Sequence, residues 1–213
     1  MKNNKKRQKD SRIYIFGDTH GIVETHKVAS LKDLYTSNDY VVICGDFGVI
    51  WNDEPNKAEL EIQAMLNDLP CKVLFVDGNH ENFNRINALP KIKMFGSEVG
   101  RYTCNVFHLK RGHIYCINDR NFFVQGGALS IDKEWRVLNV SYWKQEDITQ
   151  GELDFAISNI ENFTGNIDYV LSHTIPTTAV NELGKYISIR HKIHDKNSIK
   201  LEKIYQTLQK RDF

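Results

Sequence analysis

The sequence predicts an α/β fold: a mostly parallel sheet with helices on both of its faces. Three observations carry that expectation. Apolar runs of strand length recur, segments of helical spacing lie between them, and each run closes on a Gly-Asp or Gly-Asn element. Strands covered on both faces need apolar side chains in both directions, so they read as nearly unbroken runs, and right-handed crossovers through helices set them parallel.

The runs come first in the chain. Arg12 to Phe16 (RIYIF) stops at Gly17-Asp18, Tyr40 to Cys44 (YVVIC) stops at Gly45-Asp46, and Lys72 to Val76 (KVLFV) stops at Asp77-Gly78-Asn79-His80. Between them, Glu24 to Tyr35 and Lys57 to Leu69 have helical spacing, the second presenting Leu60, Ala64 and Leu69 with Met65 and Leu66 on one side. From about Val99 the texture shortens. Asn105 to Leu109, His113 to Ile117 and Asn121 to Gln125 read as strands separated by Lys-Arg-Gly and Asn-Asp-Arg turns, the pattern of hairpins. A loop with Gly126-Gly127, Asp132 and Trp135 follows, then a helix from about Glu146 to Ile160. A buried strand, Tyr169 to Leu171, leads into Ser172-His173, and an amphipathic helix covers about Asn197 to Gln209.

Composition bounds the rest. With 213 residues, 41% apolar and 26% charged, the chain is long enough to bury one core without disulfides, which excludes a disordered or fibrous protein. It divides into a basic flexible tail at 1–11 and one domain at 12–213. No run approaches the ~20 apolar residues that span a bilayer, and no apolar segment follows the N-terminal charges, so a cytoplasmic protein with no membrane partner is expected. Cys44, Cys71, Cys104 and Cys116 show no C-x-x-C pairing and sit mostly in apolar runs, which predicts reduced, buried packing residues. Residues 2–12 carry six basic side chains against Asp10 alone, a net +5 that leaves about −4 elsewhere. The acidic remainder argues against an extended nucleic-acid-binding face, and the tail reads as a solvated arm.

In parallel sheets ligands bind at the carboxyl ends of the strands. Asp18-x-His20, Gly45-Asp46, Gly78-Asn79-His80-Glu81 and Ser172-His173 each lie just past an apolar strand, which gathers four ligand-type clusters at one sheet edge. Two divalent cations ~3.5–4 Å apart need a bridging ligand, which the two oxygens of Asp46 offer. Asp18 and His20, at i and i+2 in an extended segment, would point the same way to one cation, with Asn79 and His173 serving the other. An oxygen and nitrogen donor set without thiolate suits Mn²⁺, Fe or Zn²⁺ over Ca²⁺.

That ordered set resembles the calcineurin-like metallophosphoesterases, whose pattern runs D-x-H, G-D, G-N-H-[DE], H and a terminal G-H-x-H. The resemblance covers about residues 12–213. The stretches Gly17-Asp-Thr-His-Gly21, Gly45-Asp-Phe-Gly48, Gly78-Asn-His-Glu81 and Leu171-Ser-His-Thr-Ile-Pro176 are most similar to the small bacterial and prophage members. Phe123 to Ser130 and Ile131 to Arg136 fit the same subgroup. The resemblance implies a four-layer α-β-β-α sandwich with two mixed central sheets flanked by helices, and hydrolysis of phosphomonoesters or phosphodiesters by a hydroxide activated at two metals. It implies that His80 is catalytic rather than a ligand, protonating the leaving alkoxide or binding it as imidazolium, and that Glu81 orients His80 or caps the next helix. Arg136, in a loop rich in Gly and Trp, is the candidate for the substrate phosphate through its guanidinium fork.

The chain departs from the pattern at its end. It stops at Lys210-Arg-Asp-Phe213 after a helix, without the G-H-x-H element that would give one ligand to each cation. Truncation before a last strand is the expected reading. The alternatives are substitution by His191 and His194, spaced i, i+3 in a basic segment, or a partner chain supplying the strand. Two rival functions follow: a non-catalytic binding module with an incomplete metal site, and a nuclease, for which only the N-terminal arm offers the basic surface.

Overall fold

The computed structural model describes residues 11–186 and 195–211. His191 and His194 lie outside the described residues, as does most of the basic arm.

The three leading runs form β1 (Ile13–Phe16), β2 (Tyr40–Cys44) and β3 (Lys72–Val76), paired in parallel. The first helix is α1 (Thr25–Ser30), shorter than its pattern because the chain tightens into a 3₁₀ turn at Lys32–Leu34. The second is α2 (Lys57–Asn67), started by Asn56, whose side chain accepts the Glu59 N–H. Its inner face keeps Leu66 of the predicted stripe, with Leu69 buried just beyond the helix, and departs from the rest. Glu59, Ile62 and Leu66 face inward and Leu60 and Met65 outward, because Glu59 is buried in a bidentate pair with Arg85 at 2.7 and 2.8 Å and accepts the Tyr102 hydroxyl.

Beyond β3 come α3 (Phe83–Asn87), β4 (Lys91–Met94), β5 (Ser97–Arg101) and β6 (Val106–Leu109). The six strands make one sheet in the order β1-β2-β3-β6-β5-β4, in which β6 runs parallel to β3, β5 antiparallel to β6, and β4 antiparallel to β5. The second sheet holds β7 (Ile114–Ile117), β8 (Arg120–Gln125) and β9 (Tyr169–Ser172), with β7 antiparallel and β9 parallel to β8. The Asn118-Asp119 turn is the predicted hairpin, with both residues at positive φ. The Lys110-Arg111-Gly112 turn is not: β6 belongs to the first sheet and β7 to the second, so this segment carries the chain between sheets. The remaining helices are α4 (Gln150–Asn162), opened by a Thr149/Glu152 capping box, α5 (Thr177–Leu183) and α6 (Lys196–Gln209).

Alternation along the strands builds the layers. Val41, Ile43, Val73 and Phe75 face α1 and α2 through Val28, Ile62 and Leu66. Val42, Leu74 and Val76 face the other way and pack on Tyr115, Phe122, Val124 and Leu171 of the second sheet. Phe123 and Val170, on the outer face of that sheet, meet Leu153, Ala156 and Ile160 of α4 and Leu201, Ile204 and Leu208 of α6. The result is helix, sheet, sheet, helix: two mixed sheets flanked by helices. The faces of the first sheet are therefore covered by helices on one side and by the second sheet on the other, not by helices on both. The four cysteines are free thiols, yet only Cys71 is fully buried; Cys104 and Cys116 are exposed, Cys116 because it faces outward on the edge strand β7.

Behind the strand ends lies a buried charge cluster. Asp77 accepts Arg111 Nε at 2.8 Å and contacts His108 Nε2 at 3.0 Å, and Arg111 reaches Glu152 at 3.2 Å and lies over the Phe83 ring. Burial alone would raise the Asp77 carboxyl, but Arg111 and His108 outweigh it and hold it well below the usual carboxylate range. A depressed folded pKa means stability that is full above the ordinary carboxylate value of about 4 and is lost as the pH falls through the folded value. Asp77→Asn leaves Arg111 buried without its main counter-charge and is expected to cost about 3–5 kcal/mol at pH 7, measured by urea denaturation. The difference from the parent should shrink as the pH is lowered below about 4, where the unfolded parent takes up a proton that the folded Asp77 still excludes.

Candidate metal centre

The site sits where the carboxyl ends of β1, β2, β3, β8 and β9 meet. Its loops are stitched together by backbone. Asp18 N–H donates to Gly45 C=O at 3.2 Å, His20 N–H to Asp46 C=O at 2.8 Å and Gly21 N–H to Phe47 C=O at 2.8 Å. This stitching bends the chain. Asp18, His20 and Asp46 all adopt left-handed backbone, with φ of 61°, 44° and 45°. Such conformations carry a cost of order 1–3 kcal/mol for non-glycine residues and persist only where surrounding contacts enforce them. The segment after β1 is thus not extended, as its spacing suggests, yet His20 Nε2 still comes within 2.9 Å of Asp18 Oδ1.

Asp46 is the centre of the arrangement and is almost wholly buried. Its Oδ1 accepts the N–H of Asn79 at 2.8 Å and of His80 at 2.9 Å. The same oxygen lies 3.4 Å from His173 Nε2, whereas Oδ2 faces His20 Nε2 at 3.7 Å and His80 Nε2 at 4.0 Å. Burial opposes ionisation of Asp46, but His173 and the His80 backbone N–H hold its carboxyl well below the ordinary range. Two glycines make room for this. A Cβ at Gly78 would stand 2.0 Å from Asp46 Oδ1, and one at Gly45, where φ is +85°, would stand 2.1 Å from the His173 ring.

The flanking donors are oriented by their other atoms. His173 Nδ1 donates to Cys44 C=O at 3.1 Å, which leaves Nε2 as the lone-pair nitrogen facing the site. Burial lowers the His173 pKa, but Asp46 raises it further, so a cation at Nε2 competes with a proton for the same lone pair. Asn79 Nδ2 donates to Ser130 Oγ at 3.1 Å, Ser130 Oγ donates to buried Glu146 at 2.8 Å, and Lys133 pairs with Glu146. The amide nitrogen is thereby engaged and the amide oxygen is left to the centre. Glu81 neither orients His80 nor caps α3. It is fully buried and accepts Phe47 N–H at 2.8 Å and Gly48 N–H at 3.2 Å, holding the loop that carries Asp46, while Asn82 caps α3. Burial, together with Asp46 and Asp77, raises the Glu81 carboxyl well above its usual value.

His80 is boxed in by rings. Trp51 stacks on it with centroids 5.6 Å apart and planes 21° apart, His20 meets it edge-on at 4.7 Å, and Trp51 rests on buried Trp143. Its Nε2 accepts from Arg136 Nη2 at 3.0 Å. Burial comes first in lowering the His80 pKa, with Arg136 and His20 adding to it against the opposing pull of Asp46, so the imidazole rests neutral. Arg136 is itself fixed by Asp132 at 2.7 Å and by the Ser141 carbonyl at 3.0 Å.

All seven residues singled out in the sequence (Asp18, His20, Asp46, Asn79, His80, Arg136 and His173) therefore converge. The supporting set was not singled out. Trp51, Ser130, Glu146 and the Cys44 carbonyl act through contacts between distant segments, and only the Gly126-Gly127 to Ser130 stretch marked any of them beforehand.

Among the described residues, two groups of side chains have ligand atoms within 4.8 Å of one another: His20, Asp46 and His80, and Asp18, Asp46 and His173. The donor set is carboxylate, imidazole and amide, which fits divalent cations of the Mn²⁺, Fe or Zn²⁺ kind. The division differs from the pairing of Asp18 with His20 expected from spacing, although both versions share Asp46.

No helix among the described residues is long and apolar enough to cross a membrane. No curated protein and no solved structure matches the chain. The calcineurin-like phosphoesterase sequence model matches residues 11–205 and so takes in both sheets and every strand end that meets at Asp46. On that match the chain belongs to the calcineurin-like phosphoesterases, a family of metal-dependent hydrolases of phosphate esters.

Proposed function

We propose that the chain hydrolyses phosphomonoesters or phosphodiesters at a pair of divalent cations, with Asp18, His20 and Asp46 serving one and Asp46, Asn79 and His173 the other. The observation that carries this reading is the split of the Asp46 carboxylate, one oxygen toward His173 and the other toward His20. When bound, the cations supply charge to neutralise phosphoryl oxygens and a water acidified enough to act as nucleophile near neutral pH.

The chain's own residues do the rest. Arg136 has its guanidinium held flat by Asp132, Ser141 and His80, with N–H groups left over for a phosphoryl oxygen, so little side-chain freedom is lost when substrate binds. His80 is kept in one orientation between Trp51 and Arg136. An entering phosphate draws Arg136 Nη2 away from His80 Nε2 and offsets its charge, which frees that nitrogen to take up a proton and deliver it to the leaving oxygen. Because its Nε2 already accepts from Arg136, His80 is assigned to proton transfer and not to a cation, although its position would permit ligation.

Two variants test the reading. Asp46→Asn is expected to weaken cation binding and to lower kcat/KM by about 10²-fold or more, since a neutral amide bridges two cations poorly. Unchanged hydrolysis in this variant contradicts the proposal. His80→Asn is expected to leave cation content intact and to reduce kcat by about 10²–10⁴-fold for an alkyl alcohol leaving group, with a much smaller loss for p-nitrophenoxide, which departs without a proton. Equal losses on both substrates, or loss of cation, would assign His80 a different role.

A further inference from the structure

Tyr186 apart, the most exposed large apolar side chains of the described residues lie on two segments that also carry groups of the metal centre. Ile22 and Val23, 66% and 59% exposed, directly follow His20 and Gly21. Ile131, Trp135, Val137 and Val140, between 61% and 88% exposed, lie in the 131–142 loop. That loop is fastened to the centre at its start, where Ser130 bonds Asn79, and in its middle, where Arg136 bonds His80 at 3.0 Å. It is also braced across itself: Val137 N–H donates to Ser141 Oγ at 2.8 Å, Ser141 N–H to Val137 C=O at 2.9 Å, and Arg136 to the Ser141 carbonyl at 3.0 Å. The apolar side chains cannot retreat into the core without breaking these bonds.

Exposed apolar side chains concentrated at the entrance of a site mark what the site takes in. Five of these six residues are aliphatic and one is aromatic, which suits a methylene chain better than a stack of bases, since base stacking calls for successive aromatic platforms. Charge points the same way. The loop's Asp132 pairs with Arg136 and its Lys133 with Glu146, so it offers no surplus positive charge to a polyanion.

We infer that the substrate's ester group is aliphatic, a phosphoester of a long-chain alcohol, and that Ile22, Val23, Ile131, Trp135, Val137 and Val140 contact its chain. This inference rests on the hydrolytic reading of the centre and adds the class of alcohol.

Two series on the full-length, Mn²⁺-loaded protein test it. The first measures kcat/KM for p-nitrophenyl alkyl phosphodiesters from methyl to octyl, in which the leaving group is constant. The second measures Kd for methyl- to octylphosphonic acid by calorimetry, which needs no turnover. Each added methylene is expected to improve both quantities about two- to fourfold, following the ~0.8 kcal/mol of a buried CH₂. In the double variant Ile131→Ser/Val140→Ser, and independently in Trp135→Ser, the slope should fall by half or more. A flat series in the parent overturns the inference, as does a slope that both variants leave intact. Phosphonate affinity that rises with chain length while no ester turns over would support the aliphatic site and sink the hydrolytic reading; turnover without any chain-length dependence would do the reverse.

Discussion

The centre depends on one carboxylate held by two peptide N–H groups. Asp46, at the end of β2, accepts from Asn79 and His80 at the end of β3, and this ties two neighbouring strand ends into a single rigid edge. The bond pair fixes which oxygen faces which imidazole, and His173 together with the His80 N–H keeps the carboxylate charged despite its burial. It also demands strain. Left-handed backbone at Asp18, His20 and Asp46 is held in place by the three backbone bonds between the loops after β1 and β2. Gly45 and Gly78 are required because His173 and Asp46 occupy the space where a Cβ would be.

Around this edge the protein places successive shells of support whose chemistry is unlike that of the centre itself. Glu81 braces the Asp46 loop from below through Phe47 and Gly48, Glu146 braces Asn79 through Ser130, and Trp51 braces His80. Asp77 directs its charge away from the centre into Arg111 and His108, so the loop after β3 carries ligands on one side and a buried structural ion pair on the other. This separation lets the second sheet bring His173 to the centre while its own crossover segment, Lys110 to Gly112, contributes the arginine that neutralises Asp77.

The strand ends were legible in the sequence because Gly-Asp and Gly-Asn after apolar runs punctuate parallel strands, and the ligand types fall immediately behind them. The two-sheet layering and family came from the order of those motifs, not from periodicity, which suggested helices on both faces of a single sheet. Other features were not legible for physical reasons. The inner face of α2 was misread because Glu59 is buried there with Arg85 and Tyr102, and a buried carboxylate disguises a core stripe. Short elements such as α3, β4 and α5 carry too few residues to show a period. The separation of β6 from β7 depends on which sheet each joins, and local turn chemistry is the same either way. The roles of Glu81, Ser130 and Trp51 arise from contacts between distant segments, for which a single sequence holds no sign.

The central claim is that Asp46 serves two cations at once, and counting the cations tests it most directly. Calorimetric titration of the metal-free chain with Mn²⁺ at neutral pH, checked by elemental analysis of the dialysed product, should give two ions per chain. One ion per chain, or none, would contradict the account.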